Sequence, residues 1–550
     1  MIKKKRNPIC NEKSGIMRLI SVLLFAILFG ISFMAVFSYG QPWDEQEEVG
    51  IFFSNMREYA VQAGLEDRIS WFFEKYPVPR ISESVEMDHG MAAYYALFPV
   101  YLMARLTAGA AMYVWHSYTF CIFFSGVIAV YLILRNLFSK PLIWFGGTLS
   151  YYLTPRFFAE GHYNSIDLVF VSFMLWMLYF LIRASRTMAW RYLVPYCFAS
   201  AFLMNCRISG IAVWALGIFF VMVYQIIRRK RGIVYGKIAV SFFLSFLIYY
   251  ALTPASWGRP VQFLQYCLEN ATHYSMWDHV VLFKGHMMQP AKNGLPYSYL
   301  PVWILITIPE HVLLLFALSC AVYGIRLMKR VSARFRNRPL PALSDSDFFA
   351  GMILLFFWLP FIYLVCKSHT LVLYNGWRHC YFLYVPVILH FMYVFESVPG
   401  DSVHSGFKAK KLLLCGVLVV GLTSVTMDMI HYHPYEYVYF NRLGRSLFST
   451  DGFEGDYWNV STLGTLRHFE DECYHGEKLK VALMVDAGMG QTESLLNSEK
   501  IQVVDEPEAD YYLFNYSALH NRSVLDGYEP VSWIERRGSV ISGIYVKKPE

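Results

Sequence analysis

Charge is scarce in this chain of 550 residues. Only 16% of the residues are Asp, Glu, Lys or Arg, whereas 56% are hydrophobic and 18% are aromatic. A soluble protein of this length could not cover its surface with so few charges, while a surface that faces lipid needs almost none. The composition therefore excludes a soluble multidomain protein, a disordered chain and a fibrous protein, and it predicts a polytopic membrane protein.

Several motifs of catalysis and cross-linking are also missing. The ten cysteines form no Cys-x-x-Cys pair, and only Cys473 lies beyond residue 430. We therefore expect neither a disulfide framework nor a zinc knuckle. The sequence has no glycine-rich nucleotide loop, no nucleophile elbow and no internal repeat. Any chemistry must come from side chains placed at the ends of the spans.

Long apolar runs, by contrast, are abundant. Six Lys and Arg in the first eighteen residues precede the run 19–39, which is long enough to cross a ~30 Å hydrocarbon layer and lacks the small-residue cleavage site of a signal peptide. We interpret it as an uncleaved first span. Together with the later runs it predicts eleven spans, at 19–39, 117–137, 141–156, 167–183, 191–206, 208–227, 237–255, 299–325, 349–366, 380–396 and 411–429.

The basic residues indicate the orientation of these spans. The connections that would lie in the cytoplasm hold 25 Lys and Arg, and the longer opposite loops hold 12, as the positive-inside rule requires. The amino terminus is thus predicted to be cytoplasmic and the tail exterior. Residues 1–430 form the predicted transmembrane module, and 431–550 form a small exterior α/β domain with a helix at 461–471 and strands at 480–485, 501–504, 510–516 and 539–547. The loop 40–116 is the second large exterior piece, and its apolar run 91–111 is interpreted as an amphipathic helix along the interface.

Carboxylates follow the first predicted span directly. Asp44 and Glu45 leave the membrane there, and Glu47 and Glu48 come next. Such a cluster could simply be the solvated first turn of a helix, which favours acidic residues. Alternatively, a carboxylate held at the lipid boundary could deprotonate a hydroxyl acceptor as a general base, while a second one tunes its pKa or coordinates a metal.

Further ionisable residues lie at span ends on the same predicted side. Asp167 begins one span, where it could serve only as an N-cap. Arg156 and His162 precede it, and Arg378 and His379 precede the tenth span. These cations could merely anchor helix ends, or they could cradle a phosphate. If the spans converge, carboxylates and cations would together suit a reaction whose leaving group is a membrane-borne phosphate.

At this point the sequence resembles the C-type glycosyltransferases (GT-C), multispanning enzymes that use polyprenyl-phosphate-linked sugars and include protein O-mannosyltransferases and lipid A aminoarabinose transferases. The resemblance runs along nearly the whole chain. The segments that carry it are Trp43-Asp44-Glu45, Thr154–Phe158 with Asn164 and Asp167, Tyr299–Thr307, Gly376–His379 with Tyr381-Phe382, His433–Asn441 and Asp456–Trp458.

The resemblance implies roles for the candidate residues. Asp44 would be the base or acceptor-orienting carboxylate with Glu45 as its partner, and Asp167 the second acidic group. Arg378, with His379, Arg156 and His162, would hold the phosphate of a polyprenyl-phosphate donor. The implied reaction is a single inverting displacement at a bacterial plasma membrane, with the acceptor a lipid, glycan or protein and no nucleic acid involved. No metal ligand is assigned, and a divalent metal is left open.

The sequence departs from the family in two places. Ser165-Ile166 stands where members often have Pro-Lys, and Asn375-Gly376 where many have Asp-Gly. The missing Lys removes one phosphate contact. Two other hypotheses therefore remain: a transporter or flippase for a lipid-linked or small anionic substrate, and a family member without catalytic activity.

Overall fold

The computed structural model describes residues 8–104, 106–228, 232–272, 279–336, 344–397, 405–484, 495–515 and 525–549. Within these ranges the chain is mainly helical, with one small sheet near its carboxyl end. The α-helices of the described ranges are α1 (Pro8–Ala35), α2 (Glu45–Gln62), α3 (Ser70–Lys75), α4 (Phe98–Met103), α5 (Ala108–Leu137), α6 (Pro141–Tyr152), α7 (Pro155–Glu160), α8 (Asp167–Thr187), α9 (Trp190–Cys206), α10 (Ser209–Ile227), α11 (Ile233–Leu252), α12 (Pro260–Thr272), α13 (Pro290–Asn293), α14 (Tyr299–Thr307), α15 (Glu310–Phe335), α16 (Asp345–Lys367), α17 (Tyr384–His390), α18 (Tyr393–Glu396), α19 (Ser405–Tyr432), α20 (Arg442–Leu447) and α21 (Ser461–Cys473).

Nine helical stretches in these ranges are long and apolar enough to cross a membrane. They carry exposed hydrophobic side chains such as Leu23, Phe243 and Val420, which only a lipid environment would bury. The predicted class, an α-helical polytopic membrane protein, is confirmed. The nine stretches are Gly15–Ser38, Ala108–Leu137, Asp167–Thr187, Ser209–Ile227, Ile233–Leu252, Glu310–Phe335, Asp345–Lys367, Arg378–Glu396 and Lys408–Tyr432.

Two of the eleven predicted spans form helices that are shorter than the nine stretches counted above. The run 141–156 contains α6, with 12 residues, and the run 191–206 coincides with α9, with 17 residues. At 1.5 Å per residue a 12-residue helix is about 18 Å long, short of a full crossing. The predicted span 299–325 is also divided into α14 and α15. Pro309 explains the division, because the residue before a proline is driven out of the helical region and Ile308 is extended.

The loop after α1 carries α2 and brings the first turn of α2 against the later spans. Within this loop the predicted amphipathic helix 91–111 is not formed as one element. A 3₁₀ helix covers Ala92–Leu97, α4 covers Phe98–Met103, and residues from Ala108 onward already belong to α5. Pro99 lies in the first turn of α4, the position where its missing N–H costs least.

The carboxyl-terminal tail forms a sheet backed by α21. Its strands are β3 (Leu479–Leu483), β4 (Ile501–Val503), β5 (Tyr511–Asn515), β6 (Tyr528–Arg536) and β7 (Ser539–Lys547), whereas β1 (Val281–Phe283) and β2 (His286–Met288) form a separate hairpin. The order is β4-β3-β5-β7-β6, with β3 parallel to both β4 and β5 and β7 antiparallel to both β5 and β6. Leu466 and Phe469 of α21 pack on Val481, Leu513 and Ile544 of the sheet. The sequence predicted an α/β tail but missed β6, an edge strand that contains Pro530 and exposed charged residues.

A buried aromatic cluster joins this tail to the spans. Tyr39 at the end of α1 packs with Tyr163, before α8, and with the tail residues Tyr437, Tyr457 and Trp458. Tyr39 also donates to Glu436 Oε2 at 2.9 Å. The tail is therefore packed onto the end of the molecule where the first span emerges.

Candidate functional site

A cavity of about 360 Å³ opens at this end of the molecule. Its lining comes from parts of the chain that are far apart in sequence: the first turns of α2, residues 86–89, the α9–α10 junction and the segment 371–382. Carboxylates are contributed by the early segments, and cations by the later ones. The acidic, basic and histidine lining residues are Asp44, Glu47, Glu48, Glu86, Asp88, His89, Arg207, Arg378 and His379.

Asp44 and Arg378 meet directly, although 334 positions separate them in the chain. Arg378 Nη1 lies 3.0 Å from Asp44 Oδ2, and the indole nitrogen of Trp458 donates to the same oxygen at 3.1 Å. The Arg378 guanidinium also lies against the rings of Tyr374 and Trp458, at 5.1 and 4.9 Å. The convergence that the sequence could only assume is thus present for this pair.

Unused hydrogen-bond capacity remains on three of the residues that line the cavity. Among the described residues, Nε of Arg378, Nε of Arg207 and Nδ1 of His379 are buried without a hydrogen-bond partner. Such groups are costly unless a ligand or water satisfies them. Two guanidinium donors in one cavity are the arrangement that binds phosphate oxygens.

Asp167 is connected to the cavity indirectly, by an ion pair with the lining residue Arg207. Its carboxylate is buried, lies 2.7 Å from Arg207 Nη2, and accepts a hydrogen bond from the Asn164 side chain at 3.2 Å. The Asn164 side chain also caps the start of α8 by accepting from the Asp167 amide at 2.7 Å. Asp167 therefore holds a cavity arginine, while its neighbour Ile166, and not Asp167 itself, belongs to the cavity lining.

The second carboxylate beside Asp44 in the cavity is Glu48. It is buried, accepts a hydrogen bond from Ser165 and lies near both Asp44 and Arg378. Burial, and after it the charge of Asp44, raises the pKa of Glu48 well above its usual range. Burial also raises the pKa of Glu47, with Glu86 and Asp44 adding to the effect. One of these groups can therefore carry a proton near neutral pH while Asp44 pairs with Arg378.

Glu45 lies elsewhere. Its carboxylate is buried 2.6 Å from His116 Nε2 on α5 and accepts from Gln41 at 3.2 Å. It is not part of the cavity lining. The structure thus does not bring Glu45 to Asp44 as its cavity partner, and it places Glu48 there instead.

Arg156 and His162 also lie outside the cavity. Arg156 is buried between the rings of Trp303 and Phe440, and its Nε donates to the Tyr439 carbonyl at 3.2 Å. The two ring nitrogens of His162 face the carbonyls of Phe158 and Ser32, at 2.7 and 3.0 Å. Burial lowers the pKa of His162 to about 4. Arg156 thus contacts the tail and His162 contacts α7, and neither residue lines the cavity.

One cluster at the cavity edge could hold a divalent cation. The ligand atoms of Glu86, Asp88 and His89 lie within 4.8 Å of one another, and all three residues line the cavity. Carboxylate oxygens and an imidazole suit zinc or a similar ion. The sequence signal is the short run Glu86-Met87-Asp88-His89 in the loop 40–116, which was not among the predicted site residues.

The sequence analysis also missed Arg207 and Trp458 as site residues. Arg207 is a single cation in a short connection between two apolar runs, and a basic residue at a span end is a signal that could have selected it. Trp458 belongs to the segment Asp456–Trp458 that carries the family resemblance, but no role could be predicted for it, because its role depends on how the tail packs. Trp458 therefore shows the limit of considering span ends alone.

No protein-family model and no curated protein matches the sequence. Among solved structures, the chain is similar to the crystal structure of ArnT from Cupriavidus metallidurans bound to undecaprenyl phosphate, with a TM-score of 0.42 and 11% identity over 95% of this chain and 97% of that one. It is similar also to ArnT from Cupriavidus metallidurans in the apo state, with a TM-score of 0.43 and 12% identity over 96% and 98% of the two chains. With identities this low, the function has to be argued from the residues of the cavity.

Proposed function

We propose that the protein is a membrane glycosyltransferase that transfers a sugar from a polyprenyl-phosphate-linked donor to an acceptor on the exterior face. The observation that carries this proposal is the pairing of Asp44 with Arg378 in a cavity where Arg378 and Arg207 keep unused guanidinium donors. The sequence resemblance to C-type glycosyltransferases leads to the same conclusion. We further propose that the membrane is the bacterial plasma membrane, with the cavity on its periplasmic side.

Arg378 and Arg207 would bind the donor phosphate. In the transfer, the bond between the anomeric carbon and the phosphate oxygen breaks, and negative charge grows on the leaving phosphate. The guanidinium groups of the cavity lining would stabilise this charge. Asp167 supports this step through its 2.7 Å contact with Arg207.

Asp44 would activate the acceptor. Its contacts with Arg378 and Trp458 both fall on Oδ2, and no described residue donates to Oδ1. The acceptor hydroxyl would give its proton to this carboxylate as its oxygen forms the new bond to the anomeric carbon. Attack from the face opposite the phosphate inverts the anomeric centre in a single displacement, with no sugar bound covalently to the enzyme.

Glu86, Asp88 and His89 would hold a divalent cation if the enzyme uses one, and such an ion would supply positive charge at the edge of the cavity. Glu45, Arg156 and His162 would stabilise the fold, since each contacts neighbouring groups and none of them lines the cavity. The proposed phosphate ligands, Arg378 and Arg207, thus differ from the set that the resemblance implies.

The test is a transfer assay on the purified full-length protein with radiolabelled polyprenyl-phosphate-linked sugars and a panel of lipid, glycan and protein acceptors. We expect transfer by the wild type and a loss of at least a hundredfold for Asp44→Asn, the scale of a missing general base. Asp67→Asn, an exposed acid of the same loop, should leave the rate unchanged. Full transfer by Asp44→Asn would remove the proposed role of this residue.

The rival functions predict different results in transport, binding and transfer assays. A transporter or flippase would move labelled lipid across a proteoliposome membrane without transferring the sugar to any acceptor. A member without catalytic activity would bind the lipid-linked sugar and neither move nor transfer it. Either result would contradict the proposal.

A further inference from the structure

The turn that carries Arg378 has an unusual backbone. Asn375 and Gly376 both have positive φ, at 55° and 71°. Consecutive residues in this conformation point their amide groups to one side and form a concave anion site. Non-glycine residues rarely adopt it without support. The turn lies two residues before Arg378, so its conformation sets the direction from which that side chain enters the cavity.

A carboxylate from the exterior tail fills this concave site. Glu454 Oε2 accepts from the Gly376 amide at 3.1 Å, and the Asn375 amide also donates to this carboxylate. Glu454 is only 3% exposed and is not a lining residue of the cavity. The segment that bears it is fixed in turn by the β1–β2 hairpin, where the Gly285 amide donates to the Gly452 carbonyl at 2.9 Å.

Other groups close the far side of the turn. The Arg156 guanidinium, stacked on Trp303, lies against Gly376. Trp377 donates from its indole to Thr307 Oγ1 at 2.9 Å. The turn therefore lies between the tail on one side and α7 and α14 on the other. Of these neighbours, Glu454 is the one that accepts hydrogen bonds from the backbone amides of the turn.

We propose that Glu454 is a positioning residue, whose ionised carboxylate holds the Asn375–Gly376 turn and thereby aims Arg378 at the donor phosphate. This inference deepens the proposed function and rests on it, because its readout is the binding of a lipid phosphate. It also makes the exterior tail a part of the site, in addition to the contacts of Trp458 with Asp44 and Arg378.

The positioning depends on the ionisation state of Glu454. Burial raises the pKa of Glu454 to about 7, against the opposing effects of the Gly376 and Asn375 amides and of Arg378 and Arg156. The phenol of Tyr299 on α14 faces the same carboxylate. As the pH falls through about 7, the carboxylate gains a proton and becomes a weaker acceptor for two amides. Phosphate binding should weaken in that window and recover above it.

The experiment measures Kd for tritiated polyprenyl phosphate on the full-length protein in lipid nanodiscs, from pH 5.5 to pH 8.5. We compare wild type with Glu454→Gln, Glu454→Asp and the matched control Glu508→Gln, an exposed acid of the same tail. The second ionisation of the ligand is common to all four proteins, so differences between their profiles report Glu454. Thermal unfolding of each variant shows whether it is folded.

At pH 8 we expect Glu454→Gln to bind about tenfold more weakly than wild type, which corresponds to about 1.4 kcal/mol. Its profile should keep the change caused by the second ionisation of the ligand and lack the additional change near pH 7 that wild type and Glu508→Gln share. Glu454→Asp, which keeps the charge, should retain an additional change, and this variant is the test if Glu454→Gln does not fold. A folded Glu454→Gln with the wild-type profile, or a Glu454→Asp that lacks the additional change, would overturn the inference and leave the proposed function intact. Absence of binding by the wild type would overturn both.

Discussion

Asp44 and Glu45 are neighbours in sequence, yet their carboxylates face different parts of the molecule. Successive residues of an α-helix are turned by about 100°, whereas residues four apart share a face. Asp44 stands at the N-cap of α2, so Glu48 follows it on the cavity side while Glu45 turns to His116. The sequence predicts that Asp44 and Glu48 share a face only if the helix is known to begin at Glu45.

The different surroundings predict different effects of substitution. Glu45→Gln replaces the buried carboxylate beside His116 with a neutral amide and should lower the free energy of unfolding by about 1–2 kcal/mol, because a charge-assisted hydrogen bond becomes a weaker neutral one. The binding of polyprenyl phosphate should be unchanged. Thermal unfolding and lipid binding of the purified protein measure the two effects separately.

Glu48→Gln is the comparison for this prediction, since Glu48 lines the cavity and holds a proton more readily. It should change the unfolding temperature little and should alter binding or transfer. If Glu45→Gln weakened lipid binding without lowering the unfolding temperature, our placement of Glu45 outside the site would be wrong.

At the scale of elements, the hydrophobic runs predicted most of the helices because lipid-facing surface leaves a strong compositional signal. Their lengths and breaks were harder to predict. Pro309 divides a predicted span, α6 is shorter than a full crossing, and α9, with 17 residues, is at the lower limit of one. The strand β6 was missed since an edge strand can carry the proline and charges that normally mark a loop.

At Gly40 the backbones of the first span and the tail approach so closely that no side chain fits between them. A Cβ added to Gly40 would lie 2.4 Å from the Val460 carbonyl oxygen, at the start of α21. The backbone would have to move, and this should cost about 1–3 kcal/mol. Because Trp458 lies two residues before Val460, we predict that Gly40→Ala displaces Trp458 from Asp44 and weakens polyprenyl phosphate binding.

Gly50→Ala is the matched control. No atom lies within 4 Å of a Cβ at Gly50, which is inside α2, so alanine should stabilise the helix by up to about 1 kcal/mol. Lipid binding and thermal unfolding are measured for both variants. Equal binding by Gly40→Ala and Gly50→Ala would show that the contact with the tail does not support the site.

At the scale of the whole molecule, the site is built by convergence that no local pattern reveals. The sequence selected Asp44, Asp167 and Arg378 because ionisable residues at span ends are unusual. It could not select Trp458 or Glu454, whose importance arises only when the tail packs on the end of α1. For the same reason it grouped Arg156 and His162 with the phosphate ligands, although both are enclosed by neighbouring rings and carbonyls.

The orientation of the chain in its membrane remains a prediction from charge counts. What the structure adds is that Asp44, Arg207, Arg378 and the tail lie at one end of the helical region. A reaction there would be open to only one side of the membrane. The acceptor must therefore be available on the side where the tail lies.

The most direct test of this account is a structure of the full-length protein in nanodiscs with polyprenyl phosphate bound. We predict that the phosphate lies in the cavity, with its oxygens within hydrogen-bond distance of the guanidinium groups of Arg378 and Arg207 and with Asp44 beside it. A phosphate bound elsewhere, with the Asp44–Arg378 pair still closed at 3.0 Å, would contradict it.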